Sequence, residues 1–267
     1  MRWLNYLLLL IVITACGAAT SPPESQLTTS IGSAESAVIN LNIFNRDAQL
    51  TNLAPESDLL ISADVGDTHT VTYITEQSAQ AYIALSDNPN QASTFDWAIK
   101  TSPSLPISYV IDVTDGDFRA DLTQLNIPRF DIVSINSTLD ITFPSSAFQM
   151  AVDVSDSTAI LAIPALADIQ SAQVTTSGGL LTMTVDEGVR FISNLTVTAG
   201  GMTLIVPAST GVQIIVERAE NSEITLPNRP RTIAEPIIYT TPDFEQSSAQ
   251  ILLNSTLIGA AIRIVQE

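Results

Sequence analysis

One phrase recurs along this chain at intervals of about 20 to 22 residues, and it limits the available folds more than any other feature. It is clearest from Val110 to Pro144, VIDVTDGDFRADLTQLNIPRFDIVSINSTLDITFP. Each copy ends in three alternating apolar positions followed by a proline or acid. The sets are Leu139, Ile141, Phe143 before Pro144; Ala159, Leu161, Ile163 before Pro164; and Leu181, Met183, Val185 before Asp186. Met202, Leu204 and Val206 precede Pro207, and Ser222, Ile224 and Leu226 precede Pro227. Upstream of most sets lies a second alternating pair: Val133 and Ile135, Val152 and Val154, Leu195 and Val197, Ile214 and Val216. Small residues such as Asn136-Ser137-Thr138 or Gly200-Gly201 separate the two.

Alternation with period two is the pattern of a strand with one buried face. A fixed period of this length built from such strands predicts an all-β β-solenoid, a single-stranded, β-helix-like stack of about 20–22-residue rungs. One rung cannot bury its apolar face alone; stacked rungs bury a continuous column, and each enclosed aliphatic contributes roughly 1.5–3 kcal/mol. The prolines fall at strand ends, where no ladder N–H is needed. An antiparallel β-sandwich with evenly spaced strands is the competing architecture. Upstream, 37–43, 59–65, 68–74, 81–85 and 95–99 also read as strands, and no 3.6-residue apolar period marks a long helix. Residues 228–242 break the period with three prolines and read as an excursion or edge cover. Residues 249–265 resume it and are expected to close the open end of the stack.

The N-terminus reads as an address. Arg2 precedes an apolar run from Leu4 to Ile13, too short to span a bilayer comfortably, which ends in Thr14-Ala15-Cys16-Gly17. This looks like a bacterial lipoprotein signal. Ala15 is small enough to admit the peptidase, and Cys16 is the only cysteine in the chain, so no internal disulfide is possible. Cleavage between Ala15 and Cys16 would leave a diacylated thiol, whose buried CH₂ groups each contribute roughly 0.8 kcal/mol to membrane binding. The expected domains are a signal peptide over 1–15, a lipidated Cys16 with flexible tether over 16–36, and a solenoid over 37–267. That address puts the body outside the cytoplasm of a bacterium, on the cell surface or in the periplasm. The three N-x-S/T sequons at Asn136, Asn194 and Asn254 are then expected to be unmodified.

Acids outnumber bases 28 to 10, for a net charge of −18, and only Lys100 is a lysine. Loss of Arg2 with the signal would take the charge to −19. Such a chain repels nucleic acid, which is held through Lys and Arg, and also anionic lipid headgroups. Charged residues are only 14% of the chain, so the surface is built largely from Ser, Thr, Asn and Gln.

The run Trp97-Ala98-Ile99, Leu105-Pro106-Ile107, Val110-Ile111-Asp112-Val113 and Ala120-Asp121-Leu122-Thr123-Gln124-Leu125-Asn126-Ile127 resembles the bacterial toast-rack domain family. Leu139 to Pro144, Asp58-Leu59-Leu60 and the closing Leu257-Ile258-Gly259-Ala260-Ala261-Ile262-Arg263-Ile264 are similar to further rungs of it. Its small glycine turns are replaced here by Thr114-Asp115-Gly116 and Asn136-Ser137-Thr138. The resemblance covers most of 37–267. It implies a β-helix-like stack and a role in the cell envelope, in company with cell-wall-active antibiotic response and adhesin-like proteins, and it brings no catalytic residues.

Chemistry-bearing motifs are sparse. Asp112, Asp115, Asp117 and Asp121 surround a turn and are weak calcium candidates, since their spacing is not that of a calcium loop; solvated turn acids are the plainer reading, and no metal is expected. His69 is the only histidine. No Gly-x-Ser-x-Gly, phosphate-cradling loop or dinucleotide motif is present. These features predict a protein that is not an enzyme and needs no cofactor: a membrane-anchored envelope lipoprotein serving as a structural, adhesion-like or stress-sensing interaction module. Its expected partners are the membrane, through acyl chains on Cys16, and an envelope protein or glycan. The alternative is an extracellular glycan-binding or glycan-cleaving β-helix.

Overall fold

The computed structural model describes residues 26–66, 71–77, 79–87, 95–227, 229–233, 237–241, 244–247 and 249–267. Ala15, Cys16 and His69 lie outside these. Among the described residues every regular element is a strand. The first seven are β1 (Gln26–Ser30), β2 (Ser36–Phe44), β3 (Ala48–Asn52), β4 (Leu59–Asp64), β5 (Val71–Gln77), β6 (Gln80–Ser86) and β7 (Trp97–Thr101). The central repeat supplies β8 (Ile107–Thr114), β9 (Asp117–Asp121), β10 (Arg129–Ile135), β11 (Thr138–Thr142), β12 (Ala147–Ser155), β13 (Thr158–Ile163), β14 (Asp168–Ser177) and β15 (Leu180–Val185). Then come β16 (Arg190–Thr198), β17 (Gly201–Val206), β18 (Gly211–Glu220), β19 (Ser222–Leu226), β20 (Arg229–Ile233), β21 (Ile237–Thr240), β22 (Gln250–Ile258) and β23 (Ala261–Gln266).

Each rung is a strand pair such as β8–β9, one strand in each of two sheets. The twelve-stranded sheet runs β1-β4-β7-β3-β9-β11-β13-β15-β17-β23-β19-β20, and the eleven-stranded sheet runs β21-β18-β22-β16-β14-β12-β10-β8-β2-β6-β5. Nine rungs stack in parallel, and the outermost strands pair antiparallel to them. The expected solenoid is therefore the observed one, and the sandwich is not.

Register places the apolar sets over one another. Ile141 pairs with Leu161, Leu161 with Met183, Met183 with Leu204 and Leu204 with Ile264. Leu139, Ala159, Leu181, Met202 and Ile262 form the adjacent column. All ten are buried, in one core that fills the space between the sheets. Aromatic rings thicken that core: Phe130 and Phe143 meet edge-on at 5.2 Å, and Phe143 stacks on Phe148 at 5.1 Å.

The turn joining the two strands of a rung is also a column. Its first residue has positive φ in rung after rung: Asn45, Asp115, Asn136, Asp156, Gly178, Ala199, Asn221 and Gly259. Asn and Asp tolerate this left-handed conformation because their short side chains bond locally. This is how the turns that lack a glycine there still close. The second position must be small. A Cβ at Gly116 would lie 2.0 Å from the Arg46 carbonyl oxygen. Where it is serine, the buried hydroxyl stitches rungs together: the Ser137 N–H donates to Ser157 Oγ at 2.9 Å, and Ser157 Oγ–H donates to the Ser155 carbonyl at 2.7 Å.

Three expectations are corrected. Residues 26–30, placed in the flexible tether of 16–36, form β1, which pairs with β4, so the folded body begins before residue 37. The C-terminal rung β22–β23 does not close the end of the stack; it lies between β16–β17 and β18–β19. The N-terminal rung β2–β3 is likewise held between β6–β7 and β8–β9. The ends are closed instead by antiparallel strands, including β20 and β21 from the 228–242 excursion. Third, Val133 and Ile135 are exposed, and the core positions of β10 are Phe130, Ile132 and Ser134.

That phase correction is testable. Ile132→Ala should cost about 2–5 kcal/mol, the range for truncating a buried aliphatic. Val133→Ala should change stability by no more than about 0.5 kcal/mol, as on other surfaces. Denaturant unfolding of the two variants measures both.

Candidate functional site

A buried charged cluster sits at the turn between β2 and β3. At the second turn position of β2–β3 stands Arg46 instead of a small residue. In the neighbouring rung β6 and β7 are joined by the longer connection 87–96, of which 88–94 lie outside the described residues. Its guanidinium grips Asp87 through two nitrogens, Nε at 2.5 Å and Nη2 at 2.7 Å, and both side chains are 2% exposed. The planar group also lies 5.5 Å from the Trp97 ring centre and donates to the Phe95 carbonyl at 3.4 Å. A planar cation that pairs with a carboxylate and lies over an aromatic face suits Arg better than Lys.

Above it, on the outer side of the twelve-stranded sheet, is a groove of about 280 Å³ lined by Asp47, Gln49, Asp96, Ala98, Asp117 and Arg119. It exists because Ala98 is small between Gln49 and Asp64, its neighbours in the ladder. Ala48 pairs with both Trp97 and Phe118, so the preceding residues Asp96, Asp47 and Asp117 fall in one column. Like charges directly opposite on neighbouring strands repel. One is partly committed: Asp47 Oδ1 accepts the Asp117 N–H at 3.0 Å.

The four aspartates singled out in the sequence are dispersed. Asp112 is half-buried on the outer face of β8 between Asn42 and Val133. Asp115 occupies the left-handed turn position and accepts from Asn136 Nδ2. Asp117 lines the groove. Asp121 caps the next turn, accepting the Thr123 N–H at 3.2 Å and its hydroxyl at 2.7 Å. Among the described residues no group of three or more His, Cys, Asp or Glu is arranged to hold a metal ion.

Asp47, Asp96, Gln49, Arg119 and the Arg46–Asp87 pair were not singled out from sequence. A signal was there: Asp47-Ala48-Gln49-Leu50, Asp96-Trp97-Ala98-Ile99 and Asp117-Phe118-Arg119-Ala120 share an Asp one residue before an inward side chain.

The outer face of the eleven-stranded sheet carries polar ladders. Gln173, Asn194 and Asn254 are in register, as are Thr175, Thr196 and Thr256. Two of the three sequon asparagines thus stack on one another. At one edge of this face β14 bulges at Gln170 and Ser171, and a groove of about 360 Å³ opens there. Phe244, Ile192 and Leu252 give it an apolar wall, and Asp168, Gln170, Arg190 and Gln250 a polar one.

No protein-family model matches the chain, and comparison with the curated proteins finds no match. Solved structures similar in shape include the following two. One is a "putative cell adhesion protein" from Clostridium sporogenes ATCC 15579, 16% identical, with a TM-score of 0.42 over 91% of this chain and 98% of that one. The other is a "putative adhesin" from Bacteroides fragilis NCTC 9343, 11% identical, with a TM-score of 0.36 over 91% and 99%. At these values neither carries anything over to this chain, and the architecture stands on its own strand pairing.

Two predictions test the electrostatics. Asp87→Ala strands a buried cation and should cost about 3–5 kcal/mol, whereas Arg46→Met with Asp87→Leu should recover most of that loss. Thermal unfolding of the single and double variants separates the outcomes. Burial raises the Asp112 pKa above its ordinary value. The folded state therefore disfavours the charged form, and the contribution is favourable at low pH and lost as pH rises through the folded pKa. Asp112→Asn should raise Tm near pH 7 by no more than about 4 °C. The gain should vanish as the pH approaches the unfolded carboxyl value of about 3.9.

Proposed function

We propose that this chain is a non-catalytic interaction module, anchored through acyl groups on Cys16 to the outer side of a bacterial membrane, that presents a rigid polar surface to other envelope components. The observation that carries the reading is the pair of in-register ladders, Gln173–Asn194–Asn254 and Thr175–Thr196–Thr256, on a sheet whose strands are fixed by parallel pairing. Amides and hydroxyls at a strand spacing of about 4.8 Å offer donors and acceptors without net charge. A partner can bind them without overcoming the −18 carried by the rest of the chain. Backbone pairing also pre-orders the surface, which limits the entropy lost on contact. The lipoprotein-like sequence ending at Cys16 supports the address, and the adhesion-like role fits a body that is mostly surface and ladder.

A second reading, a glycan-binding face, is favoured by the bulge groove. An apolar wall of Phe244, Ile192 and Leu252 opposite the polar groups of Asp168, Gln170, Arg190 and Gln250 matches the two-sided chemistry of a sugar ring.

The test has two arms. Labelled palmitate should enter the full chain in growing cells and be absent from Cys16→Ala, which should also leave the membrane fraction. Purified acylated protein, held in detergent, should be retained on isolated cell-wall sacculi or on intact cells. Thr196→Lys with Thr256→Lys should weaken that retention by about tenfold. If neither surface retains the protein, the interaction reading fails. If Asp168→Ala with Ile192→Ala weakens retention on sacculi and the threonine pair does not, the glycan reading replaces it.

A further inference from the structure

The described chain begins at one pole of the body, not on its flank. β1 is the outermost strand of the twelve-stranded sheet, so the chain enters the fold at the extreme end of the stack. Ten peptide steps separate Cys16 from Gln26, a reach of at most about 35 Å. Twelve strands at about 4.8 Å put β20, at the opposite edge, roughly 50 Å from β1. The near pole carries more acids than bases. Glu35, Glu56, Asp58 and Asp64 are all exposed there, with Lys100 opposite Ser62 of β4, and the Asp58 carbonyl accepts the N–H of Ile31, just beyond β1. The flanks carry acids along their length, among them Asp140, Asp153 and, paired with Arg129, Asp131.

From this placement we infer that the body stands end-on to an anionic bilayer, with the β1–β4 pole toward the lipid and the β19–β20 pole outermost. The inference rests on the reading of Cys16 as the acylated residue. Lying flat would bring a long acidic flank within the screening length of about 8 Å at physiological salt, along the whole stack. Standing confines the repulsion to one pole, which the tether alone holds near the surface. The polar ladders of the eleven-stranded sheet then face sideways, free of the membrane, where envelope partners can reach them.

Energy transfer tests this. The full acylated chain is reconstituted in vesicles of phosphatidylglycerol and phosphatidylethanolamine that carry a headgroup acceptor dye. A donor is attached at Asp58→Cys in one sample and at Glu223→Cys, on β19, in another; both positions are exposed. Transfer from position 58 should exceed that from position 223 by at least about threefold. Vesicles that float with the protein but give equal transfer from the two positions overturn the orientation while leaving the anchor intact. Protein that fails to float with the vesicles overturns the anchor, and the orientation with it.

Discussion

Parallel, in-register pairing between successive rungs is the constraint on which the rest depends. It stacks Leu161 on Ile141 and Met183 on Leu161, and so turns scattered aliphatics into a core. It runs unbroken through the turns, where the Asn136 N–H donates to Ser155 and the Asp156 N–H to Ser177. A rung that closed with a different turn would carry its neighbour out of register. That is why the left-handed first position and the small second position recur although the residues filling them vary.

The turn column also carries a deeply buried ion pair. Arg46, at the second turn position of β2–β3, lies over the Trp97 ring, and its charge is balanced by Asp87. The acid column beside it, Asp96, Asp47 and Asp117, is another product of register: the chain contributes one Asp per rung, and the ladder sets them opposite one another.

Much of this was legible in the sequence because period two and period 20–22 both report burial. The sets ending at Phe143, Ile163, Val185 and Val206 were read in the right phase. The pair in β10 was not. Phe130-Asp131-Ile132-Val133-Ser134-Ile135 carries aliphatics on both faces and a serine inside, so alternation alone cannot orient it. β1 escaped notice because Gln26-Leu27-Thr28-Thr29-Ser30 is an edge strand with no buried residue. The order of rungs in space was hidden for a different reason: a repeat states how long a rung is, not which rungs are neighbours. The groove at Ala98 was hidden with it, since its walls come from three rungs whose order in space, β6–β7, β2–β3, β8–β9, is not their order in the chain.

The internal seating of the first and last rungs has a mechanical meaning. A pull on the N-terminus peels β1 from β4 one bond at a time, a low-force event. It then meets β2, bonded along both flanks to β6 and β8, which cannot be unzipped from one side. The load must shear two ladders at once. A pull on the C-terminus meets the same resistance immediately, at β23 between β17 and β19. The stack is thus hard to unravel from either end of the thread.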